Sequence, residues 1–486
     1  MVKEVKKTVK QLKKETMDLS VKEAGFAGAQ FGVGESYIIP YALALNFNNF
    51  QIGLFRSITS FFPSIFQYYG SKLMEKWDRK KIIISFVMLQ ALMWFSLMSF
   101  AYLFWKGLLV DYIPYMLIVA YTFLAIFGSI AVPSWFSLLG DIVPAKFRGR
   151  YFSNRNRVYE TVLLLSFLAG AFFLDYFKTK GWVLLGFAIL MFLAGMFRFI
   201  CSLYFRKHYY PKLEIGEKAK VGFRHFIKHI SRFNFGRFSI FTTLMYFSVS
   251  VCGAFFSVYM LKDLGFSYTT FMIISIAGSI FHLVSLPIWG KVSDKFGNRT
   301  LISIGAFCIA IMPFLWLFSV NPIYLICVPQ LIIGLGWSAF GLGTTNFVYD
   351  SVPKQRRGFF ISYQHILMSL GIFIGSFIGG ILAQYLPKIG LSNLPLLFII
   401  SGVLRVLTIA IFLPQIREVR KVKPMHFNDL RLMTVRTYVY GHHHHLILFK
   451  KIKDLENSLA KIPHNLFVKF FKGSNKDANK FLNRSR

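Results

Sequence analysis

Gly290-Lys-Val-Ser-Asp294-Lys-Phe-Gly297-Asn-Arg299 is a short, charged, glycine-punctuated turn between two long apolar runs. A second version occurs 219 residues earlier, at Ser71-Lys-Leu-Met-Glu75-Lys-Trp-Asp78-Arg79-Lys-Lys81. Each copy starts on a small residue, carries an acid four positions on, and then turns basic. Two copies of one hinge imply two copies of whatever surrounds it.

The surroundings are apolar. Of 486 residues, 55% are hydrophobic and only 16% charged, and Phe alone supplies 56. A soluble chain of this length needs more charge to cover its core. Runs of about 20 apolar residues, the length that crosses ~30 Å of hydrocarbon, recur throughout. They are continuous rather than alternating, which excludes a β-barrel. The fold class is therefore an all-α polytopic membrane protein. Twelve spans are expected at 24–46, 50–70, 82–104, 112–139, 158–177, 182–205, 238–261, 269–289, 300–319, 323–349, 359–386 and 393–413. The N-terminus lacks a short apolar stretch with a small-residue cleavage site, so span 1 is expected to serve as an uncleaved insertion signal.

The connections alternate between short and basic. The N-terminal tail and the basic loops carry 32 Lys and Arg, the short loops only 5, and the stretch from residue 415 adds 16. This bias places both termini in the cytoplasm. It also accounts for the net charge of +35 without invoking nucleic acid.

The second half repeats the first. Gly140-Asp141-Ile-Val-Pro144-Ala-Lys-Phe-Arg148-Gly149 matches Tyr349-Asp350-Ser-Val-Pro353-Lys-Gln-Arg356-Arg357-Gly358 at an offset of 209. Gly195-Met-Phe-Arg198 matches Gly402-Val-Leu-Arg405 at 207. Six spans per half, each half starting from the cytoplasm, require parallel repeats with a site between them near the midplane. The expected organisation is a basic N-terminal tail (1–23), a six-helix bundle (24–205), a central loop (206–237), a second bundle (238–414) and a basic C-terminal tail (415–486).

On these hinges and turns, residues 20–415 resemble the major facilitator superfamily. The resemblance implies secondary-active transport of a small solute by alternating access, with proton coupling as one option. It implies no cofactor, no catalytic residues and a monomer in a lipid bilayer, the plasma membrane being the expected one. It also implies a cytoplasmic gate in which Glu75 faces the start of span 11 and Asp294 the start of span 5. Arg79, Asp141, Arg148, Arg299, Asp350 and Arg357 would complete its charge network. The Asp294 latch is expected to be the better formed, because the first hinge is degenerate. Two departures count against proton-driven drug export: span 5 has no Gly-Pro pair, and residues 115–139 contain no Arg. Alternatives are a lipid-handling flippase, which an aromatic cavity without carboxylates would favour, and a non-transporting receptor or sensor.

Polar groups inside spans are costly and mark function or pairing. Glu35 is expected to couple protons, bind substrate, or pair with Arg56. Its repeat counterpart is Ala254 and that of Arg56 is Ser275, so this polarity belongs to one half only. Tyr246, His282, Gln330, Asn346 and Gln364 are candidate cavity groups. Arg198 and Arg405 read as snorkelling arginines, Glu160 as a local ion-pair member, and Asp175 as meeting water or Lys178. Glycines of span 10 and Gly371, Gly375, Gly379 and Gly380 of span 11 read as close-packing faces. No catalytic motif or paired-cysteine metal site is present. The four histidines from His442 to His445 lack the spacing of a structured metal site.

Overall fold

The computed structural model describes residues 8–144, 148–211, 223–353, 357–388, 392–420 and 422. The four-histidine run lies outside them. Asn48 and Gln51 form a capping box at the start of span 2, and Ser267 and Asn321 cap the helices of spans 8 and 10. These caps supply acceptors for first-turn amides that a helix cannot satisfy internally. Twelve helical spans follow. Span 1 comprises Val9–Val33 and Ile38–Ala44. Spans 2 to 6 are Asn49–Leu73, Arg79–Trp105, Ile113–Ile142, Arg148–Thr179 and Val183–Arg206. Span 7 comprises Asn234–Gly253 and a continuation through Phe255–Val258 to Asp263. Spans 8 and 9 are Tyr268–Phe296 and Asn298–Leu315. Span 10 comprises Pro322–Leu325 and Leu331–Ser351 joined by one wide turn, and spans 11 and 12 are Arg357–Tyr385 and Leu394–Phe412. Span 1 continues without a break from Val9, so the expected tail helix and the first span are one element.

Among the described residues, ten helices are long and apolar enough to cross a membrane. Spans 1 and 2 are the more polar pair, and packing explains span 2. It lies against span 11, where a Cβ on Gly53 would overlap the Gly380 backbone. Ser57 donates to Phe373 O (2.7 Å), and Ser64 and Ser369 share a hydrogen bond (2.6 Å). A helix facing protein does not need the apolarity of one facing lipid.

Both halves break their first span at the same place. Val33 ends one helix at Gly34, and the corresponding helix in the second half ends at Gly253, 219 residues later. Glu35 therefore sits on a helix break. The expected glycine faces divide between partners. Gly371, Gly375 and Gly379 press against the span 7 backbone at Thr243, Phe247 and Val251, while Gly380 meets the opposite half. In span 10, Gly334 packs on span 8, and Gly336 and Gly343 pack on span 9.

The two halves meet along spans 2 and 11 as far as Ser64 and Ser369, and also at the end carrying the short connections. Asp175, at the close of span 5, accepts hydrogen bonds from the amides of Tyr268 (2.8 Å) and Thr269 (2.9 Å), which begin span 8. Asn49 donates to Ala383 O (2.8 Å), and the rings of Phe167 and Phe271 cross edge-on at 6.3 Å. Asp175 was expected to meet water or Lys178. Its position one turn before the end of span 5 instead places it against the two first-turn amides that the Ser267 cap leaves unsatisfied.

Candidate functional site

A cavity of about 430 Å³ lies in the first half, nearer the basic end. Spans 1, 3, 4, 5 and 6 all contribute to it. Its charged lining is Glu23, Arg155, Glu160 and Arg198, and its ring-bearing lining includes Trp135 and Tyr159. Gly28 and Gly32 let span 1 approach the span 5 backbone at Tyr159 and Leu163. That approach brings Glu23 to Arg155.

The Glu23–Arg155 pair is closed. Arg155 Nη2 donates to Glu23 Oε2 at 2.8 Å, with side chains 3% and 9% exposed for Glu23 and Arg155 respectively. Arg155 also donates to Ser20 (3.2 Å) and stacks over Trp135 at 4.6 Å. Arg198 Nε donates to Gln90 Oε1 (2.7 Å), and its guanidinium faces the cavity. Arg198 therefore does not snorkel. Arg405 does not either: it is 1% exposed and donates to Ile309 O (2.7 Å), Val249 O (3.4 Å) and Cys252 Sγ (3.1 Å). Each arginine points inward because an acceptor on a neighbouring span meets it there. Glu160 lines the cavity and has no ion-pair partner among the described residues, contrary to the expected local pair.

Glu35 lies farther along span 1, half-buried, and accepts from the Tyr121 hydroxyl at 3.1 Å. It does not pair with Arg56. Arg56 is exposed on span 2 and has no side-chain partner among the described residues. Tyr121 stacks on Phe55, one residue before Arg56, so the ring stands where the expected ion pair would form.

The remaining candidates are not gathered around Glu35. Asn346 donates to Ser293 (3.3 Å) in a cluster at the basic end, so it is not a cavity donor here. Tyr246 stacks with Trp337 at 5.6 Å, and Gln330 is buried with its carbonyl against Gly278. Gln364 is buried and donates to Thr242 (3.4 Å). His282 is half-buried on span 8, and Gly334 packs against its backbone.

The hinge residues form networks within each half. Arg79 Nη1 donates to Asp141 Oδ2 (2.6 Å) and Ser137 (3.0 Å), and Nη2 to Pro211 O (2.6 Å). The second half builds the same cluster differently. Asp350 Oδ2 accepts from Asn298 (2.6 Å) and Arg420 (2.6 Å), and Glu418 accepts from the Arg299 amide (2.7 Å). Asn298 stands 219 residues after Arg79, so the missing cation comes from the segment beyond span 12. Glu75 and Asp294 are exposed and have no side-chain partner among the described residues. Residues 145–147, before span 5, and 354–356, before span 11, where the two acids are expected to point, lie outside the described residues. The side chains of Arg148 and Arg357 lie outside the described residues. Tyr121, Gln90, Glu23 and Glu418 were all missed from sequence. The repeat offsets could have flagged Glu23, since residues 23 and 242 correspond at 219 and 155 and 364 at 209.

The Major Facilitator Superfamily model matches residues 25–250 and again 238–453. The chain belongs to the major facilitator superfamily. Among curated proteins, it is 26% identical to the quinolone resistance protein NorA of Staphylococcus aureus over 126 residues, 26% of this chain and 32% of that protein. It is 24% identical to multidrug resistance protein 1 of Bacillus subtilis over 131 residues, 27% and 33% of the two chains. The matches thus span about a third of those relatives' length. Two solved structures share the fold. The nucleoside transporter NupG has a TM-score of 0.60 at 14% identity, covering 83% of this chain and 98% of that one. A bacterial homologue of the lysosomal transporter Spinster has 0.61 at 14%, covering 85% and 98%. The protein is an integral membrane member of this superfamily.

Proposed function

We propose that the protein is a secondary-active transporter that moves a small solute by alternating access. One observation carries this reading. The two six-helix halves touch through the Asp175 cap and the Gly53–Gly380 crossing at the short-loop end and along spans 2 and 11 as far as Ser64–Ser369, while the charged cavity lies nearer the basic end. A transporter needs a site whose access changes sides as two bundles rock. The 32-to-5 bias of Lys and Arg supports a cytoplasmic basic end, both termini inside, and an inward-open state in a plasma membrane. A single copy supplies the whole cavity, which supports a monomer. Domain boundaries follow the repeat: bundles at 24–205 and 238–414, a central loop at 206–237, and basic tails.

The drug-resistance names of the curated relatives are grounds for considering organic solutes. The absent Gly-Pro pair and the absent span 4 arginine argue against adopting their direction of transport or coupling. The carboxylates in the cavity weigh against the lipid-handling alternative. Glu35, with Tyr121, remains the proposed proton-coupling group, and Arg79–Asp141 and Asp350–Arg420 the ties that keep each half rigid as it moves. The test is solute flux and proton movement in proteoliposomes under an imposed pH gradient. Glu35→Gln is expected to uncouple the two. Unchanged coupling in the variant would remove Glu35 from the mechanism.

A further inference from the structure

The internal repeat supplies a control for the cavity. Arg198 and Arg405 correspond at an offset of 207, and residues 90 and 309 at 219. Each arginine reaches its counterpart acceptor: Gln90 Oε1 at 2.7 Å in the first half, Ile309 O at 2.7 Å in the second. The neighbouring layer repeats too, with Arg155–Glu23 standing where Gln364–Thr242 stands. Tying span 6 to span 3, or span 12 to span 9, therefore needs only the sealed arrangement seen at Arg405.

Arg198 departs from that arrangement. The terminal nitrogens of its guanidinium have no oxygen partner among the described residues, and the residue lines the cavity, whereas Arg405 is 1% exposed. Glu23 cannot neutralise it, because Glu23 is committed to Arg155. A half-buried guanidinium with free terminal N–H groups matches a planar anion bidentately. Trp135 and Tyr159 in the wall offer faces and edges to a ring. The volume suits a small organic molecule. Glu160, exposed and without a partner among the described residues, sets a negative charge on the same cavity and opposes a second anionic group on the ligand.

We propose that this cavity binds an aromatic monoanion, with its carboxylate or sulfonate on Arg198 and its ring against Trp135 and Tyr159. The inference rests on the transporter reading and names its substrate class. It is tested by calorimetry on the full chain in detergent, with 2-naphthoate, 2-naphthylmethylammonium and naphthalene-2,6-dicarboxylate as probes. The expected order is monoanion tightest, with at least tenfold weaker binding of the cation and the dianion. Arg198→Gln is expected to weaken naphthoate at least tenfold. Glu160→Gln, a change at an exposed position, is expected to strengthen the dianion more than naphthoate. It keeps the test decisive if the Arg198 variant does not fold. Equal or tighter binding of the cation, or a dianion unaffected by Glu160→Gln, overturns the proposal. Proteoliposome flux separates the two readings. Flux of some solute with no naphthoate binding sinks the substrate class alone, whereas naphthoate binding without flux of any solute sinks the transporter reading and leaves the site standing.

Discussion

Asp175→Asn tests the short-loop contact most directly. The carboxylate spans two amides of span 8, at 2.8 and 2.9 Å, and belongs to the opposite half. A hydrogen bond to a charged group contributes about 1.5–3 kcal/mol, and a carboxylate at a helix N-terminus about 0.3–1 kcal/mol more. Asparagine keeps one acceptor oxygen but turns an amine toward the second amide and carries no charge. Because the site is only partly buried, the loss is set at the low end, about 2 kcal/mol. The bonds exist only while the halves meet at this end. The loss therefore shifts the equilibrium between the two access states by about 30-fold, since 1.4 kcal/mol is tenfold. Spin labels at positions 106 and 388, in a background without the native cysteines, would report the distance across the short-loop end by electron resonance. The variant is expected to gain a longer-distance population at the expense of the wild-type one. A population ratio within about twofold of wild type would show that the cap does not hold the halves together.

The repeat predicts a compensating pair elsewhere. Glu23→Thr or Arg155→Gln alone leaves one buried charge unpaired and is expected to cost about 3–5 kcal/mol, whereas the double variant, copying Thr242 and Gln364, should recover much of the lost thermal stability in detergent. Gly53→Val is expected to wedge spans 2 and 11 apart at the Gly380 crossing and to lengthen the same label distance. His208, just past span 6, is 4% exposed with neither ring nitrogen hydrogen-bonded, and burial pushes its pKa down to about 4 from an ordinary value of 6.5. Below pH 6.5 the unfolded chain takes up this proton and the folded one does not. Stability should therefore fall by about 3 kcal/mol between pH 6.5 and 4 and level off below. His208→Phe should flatten this part of a stability–pH profile.

Spans, hinges and turns were legible because each is a local pattern: a run long enough for hydrocarbon, a small residue before an acid, an aspartate before a proline. The three repeat offsets were legible for the same reason. Depth estimates failed at Arg198 and Arg405. Distance from a helix end says how far a side chain must reach for water, and it is silent about an acceptor on the next span. The Glu35–Arg56 expectation failed similarly, because it rested on two depths without the ring of Tyr121. The principle of an acid capping a neighbouring helix is sound, and Asp175 applies it at the short-loop end, where water or Lys178 was expected.

The sequence by itself determined the class, the twelve spans, the twofold repeat and the superfamily, all of which follow from hydropathy and short-range spacing. Only the tertiary structure decided where the halves touch, which acceptor each arginine meets, and that the hinge acids stand free of partners among the described residues. The reason is physical. An alternating-access protein holds two arrangements within a few kcal/mol of each other. On the proposed mechanism one sequence encodes both, and the packing of spans 2, 5, 8 and 11 bears on which arrangement is occupied. The hinge at Gly290 to Arg299 marks the moving parts, and Asp175 and Gly53 show where they rest.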